Sequence, residues 1–238
     1  MRIRELLLWK EWVKMKILAV DTSAVCASVA VTEDGKILSE SSINTGLTHS
    51  RTLMPMIDSV LKNGEISLDS IDLFACSVGP GSFTGIRIGV AAIKGLCDAL
   101  SKKCVPVSTL EALAYNLRGR HCTAVSVMDA RCNQVYCGIF LVDGEEVTRL
   151  TKDMAIKLDD LKLLLEEYEN IIFVGDGAKL CHKALGYEKA PANCEYQKGS
   201  SVCFVAEKDA DKALPSKELL PVYLRLPQAE RELKAKQK

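Results

Sequence analysis

Several features that define large classes of protein are missing from this sequence. No apolar run approaches the roughly 20 residues that a membrane-spanning helix needs, since the best one, 88–100, is interrupted by Lys94 and Asp98. Neither charge is in excess, because 31 basic side chains balance 31 acidic ones. This balance argues against a protein that binds nucleic acid unaided, but it leaves open a subunit that relies on a partner's basic surface. The hydrophobic share of 48% excludes a disordered chain.

Recognisable catalytic and metal-binding motifs are missing as well. The three histidines, His49, His121 and His182, lie far apart in the sequence, and none has another metal ligand four residues away. The sequence contains no Gly-x-Ser-x-Gly elbow, no Walker loop and no Gly-x-Gly-x-x-Gly fingerprint. We therefore predict no metal ion and no complete catalytic set.

The ten cysteines do not form a disulfide or metal framework. No two of them have the Cys-x-x-Cys spacing, and five fall inside apolar strand or helix patterns: Cys26, Cys76, Cys97, Cys137 and Cys203. A free cysteine at such a position behaves as a small hydrophobic residue. We predict reduced, buried thiols and a cytoplasmic protein.

What the sequence does contain is one α/β pattern that occurs twice. Each copy has a strand that ends in an aspartate turn, then a hairpin on Asp-Gly, a helix and a further buried strand. The pattern predicts a duplicated, two-lobed α/β fold. The predicted division is an N-terminal lobe at 15–108 and a C-terminal lobe at 109–225, with an extension at 1–14 and a basic tail at 226–238.

The most distinctive segment reads Gly-Pro-Gly-Ser-Phe-Thr-Gly at 79–85, between a buried strand and a long helix. Its glycines either direct backbone N–H groups toward an anion or make a tight turn that lets the helix pack closely. The turns at 21–23 and 175–177 have the same two interpretations. The candidate nucleotide-binding residues are Asp21, Thr22, Ser23, Gly79, Gly81, Ser82, Gly175 and Gly177, and we expect at most weak binding of ATP or ADP.

The long helix also carries a stripe of small residues, Gly85, Gly89 and Ala92. Such a stripe lets another helix approach closely, or it packs inside the lobe that carries it. Arg87, one turn into the helix, has two possible partners, a phosphate or a carboxylate of another protein. We predict that Gly89→Leu abolishes partner binding, and that the monomer stays largely folded if this face is exposed.

In combination these motifs resemble the bacterial TsaB (YeaZ-like) family over about residues 15–230. The segments that carry the resemblance are 18–23, 49–50, 53–55, 79–89, 94–96, 107–114, 129–131 and 221–225. The resemblance implies the two-lobed actin/sugar-kinase/Hsp70-like (ASKHA) fold. It also implies a role in making N6-threonylcarbamoyladenosine beside the anticodon of tRNA.

The catalytic paralogue of that family, TsaD, has a His-Met-Glu-Gly-His metal motif after a similar glycine loop and helix. The aligned stretch here is 109–113, where Thr109 and Leu113 replace both histidines and only Glu111 is shared. One carboxylate cannot hold a transition metal. The resemblance therefore implies a non-catalytic subunit.

The resemblance implies a heterodimer with TsaD, formed through the two long helices at about 49–61 and 84–100. The implied interface residues are Leu53, Met56, Ile57, Val60, Gly85, Arg87, Gly89, Ala92 and Ile93. The same helices are expected to form a homodimer when TsaD is absent. The ATPase TsaE is a further expected partner, and tRNA is expected to bind through the complex. The alternatives are an ATP-dependent small-molecule kinase of the same superfold and, less favoured, a glycoprotease-like metallopeptidase.

The two ends of the chain lie outside the family pattern. The pattern starts at Met15, so we interpret 1–14 as surplus and expect translation to start at Met15 in the native host, the alternative being an added amphipathic helix. The last 14 residues, from Arg225, hold five basic and two acidic side chains. We expect them to form a solvated helix end, with a weak phosphate contact as the alternative.

Overall fold

The computed structural model describes residues 14–131 and 133–225, which form two β-sheets with the same strand order. The first sheet has the order β3-β2-β1-β4-β5, with β1 Lys16–Asp21, β2 Ala27–Glu33, β3 Lys36–Ile43, β4 Leu73–Gly79 and β5 Lys103–Ser108. The second has the order β11-β10-β6-β7-β8, and β9 also pairs with β7. Its strands are β6 Arg120–Asp129, β7 Gln134–Gly144, β8 Glu146–Arg149, β9 Met154–Lys157, β10 Ile171–Val174 and β11 Glu188–Lys189.

The two sheets are copies of one topology. In the first, β1, β2 and β3 form an antiparallel meander, and β4 returns parallel to β1. In the second, β6, β7 and β8 form the meander, and β10 returns parallel to β6. The duplicated α/β fold predicted from the repeated pattern is thus confirmed.

The described residues include seven α-helices, and the main ones lie in three layers around the two sheets. They are α1 His49–Asn63, α2 Phe83–Leu100, α3 Thr109–Tyr115, α4 Leu158–Leu165, α5 Ala178–Leu185, α6 Ala192–Glu195 and α7 Gly199–Lys208. Helices α1 and α2 cover the outer face of the first sheet, and α4 and α5 cover the outer face of the second. Helices α3 and α7 pack in the core between the sheets.

The alternation of side chains along the strands explains these layers. Leu18 and Val20 of β1 pack with α1 and α2, whereas Ile17 and Ala19 belong to the core between the sheets. In a strand, successive side chains point to opposite faces. Because both faces of β1 are covered, its sequence is a continuous apolar run.

The chain returns to the first sheet after it has completed the second. Helix α7 packs against β1 and β2 as well as α3. The segment that follows pairs Leu214 with Cys104, and the Val222 N–H donates to the Val78 carbonyl oxygen at 2.8 Å. The first sheet ends at Ser108 and the second begins at Arg120, and α7, Leu214 and Val222 all contact the first sheet. All of the extension except Lys14, and the whole tail 226–238, lie outside the described residues.

Nine cysteines lie in the described part of the chain and all nine are free thiols. Eight are buried, including all five that the sequence places in apolar patterns, and Cys194 is half-buried. Desolvation raises the pKa of Cys203 and of Cys181 to about 12. In the described ranges no helix combines the length and the apolar character needed to cross a membrane.

Candidate functional site

A cleft of about 760 Å³ lies between the two lobes. The carboxyl ends of β1, β4 and β6 approach it, which is where ligands bind in open α/β sheets. The first lobe contributes residues 23–25, 46–50, 81–85 and Ile88, and the second contributes 128–131, Tyr136 and Asp176. This cleft is the candidate site of the chain.

Asp21, the acidic residue at the end of β1, does not line the cleft. One carboxylate oxygen accepts from the Ser23 N–H at 2.8 Å and the Ser23 hydroxyl at 2.6 Å, and the other accepts from the Ser77 hydroxyl at 2.5 Å. Burial raises the pKa of Asp21, although these three donors lower it in part. The neighbouring Thr22 hydroxyl donates to the Gly85 carbonyl oxygen at 2.7 Å.

Asp21 joins the turn after β1 to β4 through Ser77, and Thr22 joins the same turn to α2 through Gly85. Both are therefore structural residues. Their assignment to nucleotide binding is corrected, because their polar atoms are buried and hydrogen-bonded within the lobe. Of the predicted triplet only Ser23 reaches the cleft.

The glycine-rich loop is a tight turn whose glycines permit close backbone packing. A Cβ on Gly79 would lie 2.2 Å from the Val222 carbonyl oxygen, and one on Gly81 would lie 2.3 Å from that of Ser23. Both have positive φ, +129° and +154°, which glycine adopts without strain. The Ser82 hydroxyl caps α2 by accepting from the Gly85 N–H at 3.2 Å. Gly81 and Ser82 still line the cleft, whereas Gly79 does not.

The second glycine turn has the same role. A Cβ on Gly175 would lie 2.2 Å from the Val127 carbonyl oxygen, and one on Gly177 would lie 3.1 Å from the backbone of Met128. Neither glycine lines the cleft, so their assignment to nucleotide binding is corrected too. Asp176, between them, does line it. It belongs to the predicted turn at 175–177 but was not among the candidate nucleotide-binding residues. A charged residue between two glycines after a buried strand was the signal that could have identified it.

The polar lining of the cleft consists mainly of carboxylates and hydroxyls. The Asp129 N–H donates to the Asp176 carboxylate at 3.3 Å, and the Asp129 carboxylate accepts from the Arg131 N–H at 2.7 Å. His49 donates from Nε2 to the Ala24 carbonyl oxygen at 2.7 Å, because that oxygen can only accept. Its other ring nitrogen, Nδ1, is buried with no hydrogen-bond partner among the described residues. In these ranges no three His, Cys, Asp or Glu side chains are grouped to hold a metal ion.

Asp176 makes stability depend on pH. Its pKa is raised to about 6, mainly by burial and also by the nearby charge of Asp129. An aspartate whose pKa is higher in the folded chain stabilises the fold below pH 4, and this contribution is lost as the pH rises through 6. Asp176→Asn keeps an acceptor for the Asp129 N–H and does not ionise. We expect it to raise the free energy of unfolding at pH 7 by roughly 2–3 kcal/mol relative to wild type.

Chemical denaturation from pH 4 to pH 7 measures this effect, with the exposed Asp160→Asn as control. The gain from Asp176→Asn should grow from near zero at pH 4 to its full value above pH 6. A gain that is equal at pH 4 and pH 7 would contradict this assignment.

The segment aligned with the metal motif has no free metal ligand. Thr109 and Leu113 are fully buried in the core between the sheets. The Glu111 carboxylate is paired with the Arg149 guanidinium at 2.7 Å, and Arg149 also pairs with Asp153. The donor set does not fit a transition metal, because its single carboxylate is already neutralised.

The predicted interface residues point mostly inward. Five of them belong to the apolar core of the first lobe: Leu53, Met56, Ile57, Val60 and Ile93. A Cβ on Gly85 would lie 2.0 Å from the Thr22 carbonyl oxygen, and one on Gly89 would lie 2.5 Å from the Thr22 hydroxyl oxygen. The expectation that these residues offer an open face to a partner is therefore wrong. The small size of Gly85 and Gly89 allows α2 to pack on the turn after β1.

The solvent-facing side of these two helices carries other residues. Arg87 is exposed and donates from Nε to the Tyr223 hydroxyl at 2.8 Å, while Ala92 is half-buried. Ala91, Gly95 and Ala99 are exposed and follow one another every four residues, so they lie on one face of α2. On α1, Met54 is 51% exposed. A small-residue stripe thus exists on α2, but it begins at Ala91.

Comparison with known proteins places the chain among proteins of tRNA modification. Residues 37–232 match the family model of tRNA N6-adenosine threonylcarbamoyltransferase, TsaD. The tRNA threonylcarbamoyladenosine biosynthesis protein TsaB of Bacillus subtilis is 30% identical over 227 residues, which are 91% of this chain and 96% of that protein.

Solved structures agree on the fold. A Pseudomonas aeruginosa protein described as similar to peptidase YeaZ superposes with a TM-score of 0.74 and 24% identity, covering 89% of this chain and all of that one. Component A of a hydroxyglutaryl-CoA dehydratase from Acidaminococcus fermentans has a TM-score of 0.50 and 13% identity, covering 83% and 99%. The chain has the ASKHA fold, as predicted.

Proposed function

The chain belongs to the TsaB (YeaZ-like) family, and from that premise we propose that it is the non-catalytic partner of a TsaD-type enzyme in the synthesis of N6-threonylcarbamoyladenosine in tRNA. Its own activity in that complex is to bind and support the enzyme. The transfer of the threonylcarbamoyl group from threonylcarbamoyl-adenylate to the adenosine belongs to the partner. The observation that carries this proposal is the state of the segment 109–113.

Where the enzyme's metal motif aligns, this chain has a buried hydroxyl, a buried alkyl group and a carboxylate that is already paired. Glu111 would have to give up Arg149 before it could bind a cation. The proposal is further supported at the cleft, where Asp21 is enclosed by Ser23 and Ser77. The kinase alternative places Asp21 beside the phosphates of the nucleotide. Because that carboxylate accepts from Ser23 and Ser77 inside the lobe, it gives the kinase alternative no support.

The partner surface we propose is the exposed face of α1 and α2. Ala91, Gly95 and Ala99 have at most a methyl side chain, so the backbone of α2 lies close to the surface there. The Cβ position of Gly95 has no neighbouring atom within 4 Å. A partner helix approaches most closely across such residues. Met54 of α1 adds an exposed apolar side chain at the same layer. TsaD is the proposed occupant of this surface, with a second copy of the chain as its substitute when TsaD is absent. TsaE and tRNA join through the complex.

A transfer assay tests the proposal. The purified chain, the TsaD-type paralogue from the same organism and their mixture are each incubated with threonylcarbamoyl-adenylate and tRNA. TsaE and ATP are present throughout. We expect no transfer by this chain without the paralogue, and transfer by the mixture well above that of the paralogue alone. Modification of tRNA in the absence of the paralogue would overturn the non-catalytic role.

A further inference from the structure

A second groove lies on the outer face of the second sheet, between α4 and α5. It has a volume of about 660 Å³, and its apolar lining comes from Leu158, Leu180, Ala184 and Leu185. The main-chain N–H of Leu158 donates to the Asn133 carbonyl oxygen at 3.3 Å. This contact anchors the β6–β7 turn at one end of the groove, and the same turn carries Arg131, which lines the cleft between the lobes.

Three lysines from different elements converge on this groove. They are Lys157 at the end of β9, Lys162 on α4 and Lys183 on α5, and all three are exposed. Asp159 is the one acidic residue among the lining residues. Within residues 14–131 and 133–225 none of the three lysines has a carboxylate within 4.0 Å, whereas Lys16, Lys62 and Lys212 each pair with one.

The electrostatic consequence is a local positive site on a chain with no net charge. Three ammonium groups that face one groove with a single carboxylate among its lining residues repel one another, and a bound polyanion relieves that repulsion. The positive region is small, because Glu166, Glu167 and Glu169 follow directly after α4. A ligand can therefore place only a few anionic groups here.

We propose that this groove binds the phosphodiester backbone of RNA, with one phosphate near each lysine. The ribose edges would lie against the three leucines of the groove, Leu158, Leu180 and Leu185. The choice of RNA rests on the proposed function, in which the complex acts on tRNA. Lysine contacts phosphate as a point charge and gives affinity without reading sequence. The groove would hold the body of the tRNA in place and leave recognition of the modified adenosine to the catalytic partner.

The test uses the complex of the chain with its TsaD-type paralogue and an unmodified tRNA transcript. The groove variant is Lys157→Gln/Lys162→Gln/Lys183→Gln. The control variant is Lys36→Gln/Lys103→Gln/Lys152→Gln, which removes three exposed lysines that lie outside the groove. Affinity is measured by fluorescence anisotropy over a series of salt concentrations, and complex formation is measured by size-exclusion chromatography.

We expect the groove variant to bind tRNA roughly tenfold more weakly at low salt. The slope of log affinity against log salt concentration should be smaller in magnitude by about 2 to 3, because each lost phosphate contact removes about 0.7–0.9 from it. The control should bind like wild type. Equal loss in both variants, or no loss in either, overturns the groove. Loss of complex formation with unchanged tRNA affinity shows that the groove contacts a protein and also overturns it. If the wild-type complex does not form or does not bind tRNA, the proposed function fails with it.

Discussion

Gly85→Ala is expected to unfold the first lobe or to lower the free energy of unfolding by more than about 3 kcal/mol. The added Cβ would lie 2.0 Å from the Thr22 carbonyl oxygen. That oxygen belongs to the backbone and cannot move aside without shifting the turn after β1. The shift would also break the hydrogen bond from the Thr22 hydroxyl to the Gly85 carbonyl oxygen.

The same substitution ten residues further along α2 provides the control. The Cβ position of Gly95 is open, and alanine is favoured over glycine inside a helix by up to about 1 kcal/mol. Gly95→Ala should therefore raise the melting temperature, while Gly85→Ala lowers it by ten degrees or more, on the order expected for a domain of this size. Thermal unfolding followed by circular dichroism separates the two. A Gly85→Ala variant as stable as wild type would mean that this face of α2 is not packed as described.

Ala91→Arg combined with Gly95→Arg is expected to weaken binding to the TsaD-type paralogue at least about 100-fold. Both positions are exposed, so the monomer keeps its fold, but two long cationic side chains prevent the close approach of a partner helix. A 100-fold loss corresponds to about 2.7 kcal/mol, the size of an interface hot spot. Isothermal titration calorimetry with the purified paralogue measures the change.

The control is Leu163→Arg on α4, which places the same side chain on an exposed helix at the other outer layer and outside the groove. It should leave the affinity for the paralogue within about twofold of wild type, as expected for a residue outside the interface. If the α2 variant binds as tightly as this control, the interface lies elsewhere on the chain.

Much of the fold could be predicted because its signals are local. The hairpins predicted on Asp-Gly join β2 to β3 and β7 to β8. The duplication followed from the repeated order of elements, and the sheets confirm it. The return of α7 and of residues 213–225 to the first sheet could not be predicted. It depends on contacts such as that of Cys104 with Leu214, which are 110 residues apart.

The candidate site was predicted less well, for a related reason. The spacing of Gly85 and Gly89 shows that they share a face of α2, but it does not show what lies against that face. The answer, Thr22, is more than 60 positions away in the sequence. The role of Asp21 was misjudged in the same way. The sequence pattern of a carboxylate at a strand end is the same whether the group faces a ligand or accepts a hydrogen bond from Ser77.

The missing metal ligands were the most secure inference from the sequence, since residue identity alone decides them. Thr109 and Leu113 cannot provide the imidazole nitrogens of the catalytic paralogue. The structure adds that Glu111 is committed to Arg149 and that both flanking residues are buried. Sequence identity and packing thus support the same proposal.

The central claim is that this chain acts by binding a TsaD-type enzyme, and the mass of the mixed proteins tests it most directly. The chain and the paralogue from its own organism are combined and measured by size-exclusion chromatography with light scattering. We predict a stable species that contains both chains in equal number and that is lost with Ala91→Arg/Gly95→Arg. Two proteins that elute separately at micromolar concentration, each with its own mass, would contradict it.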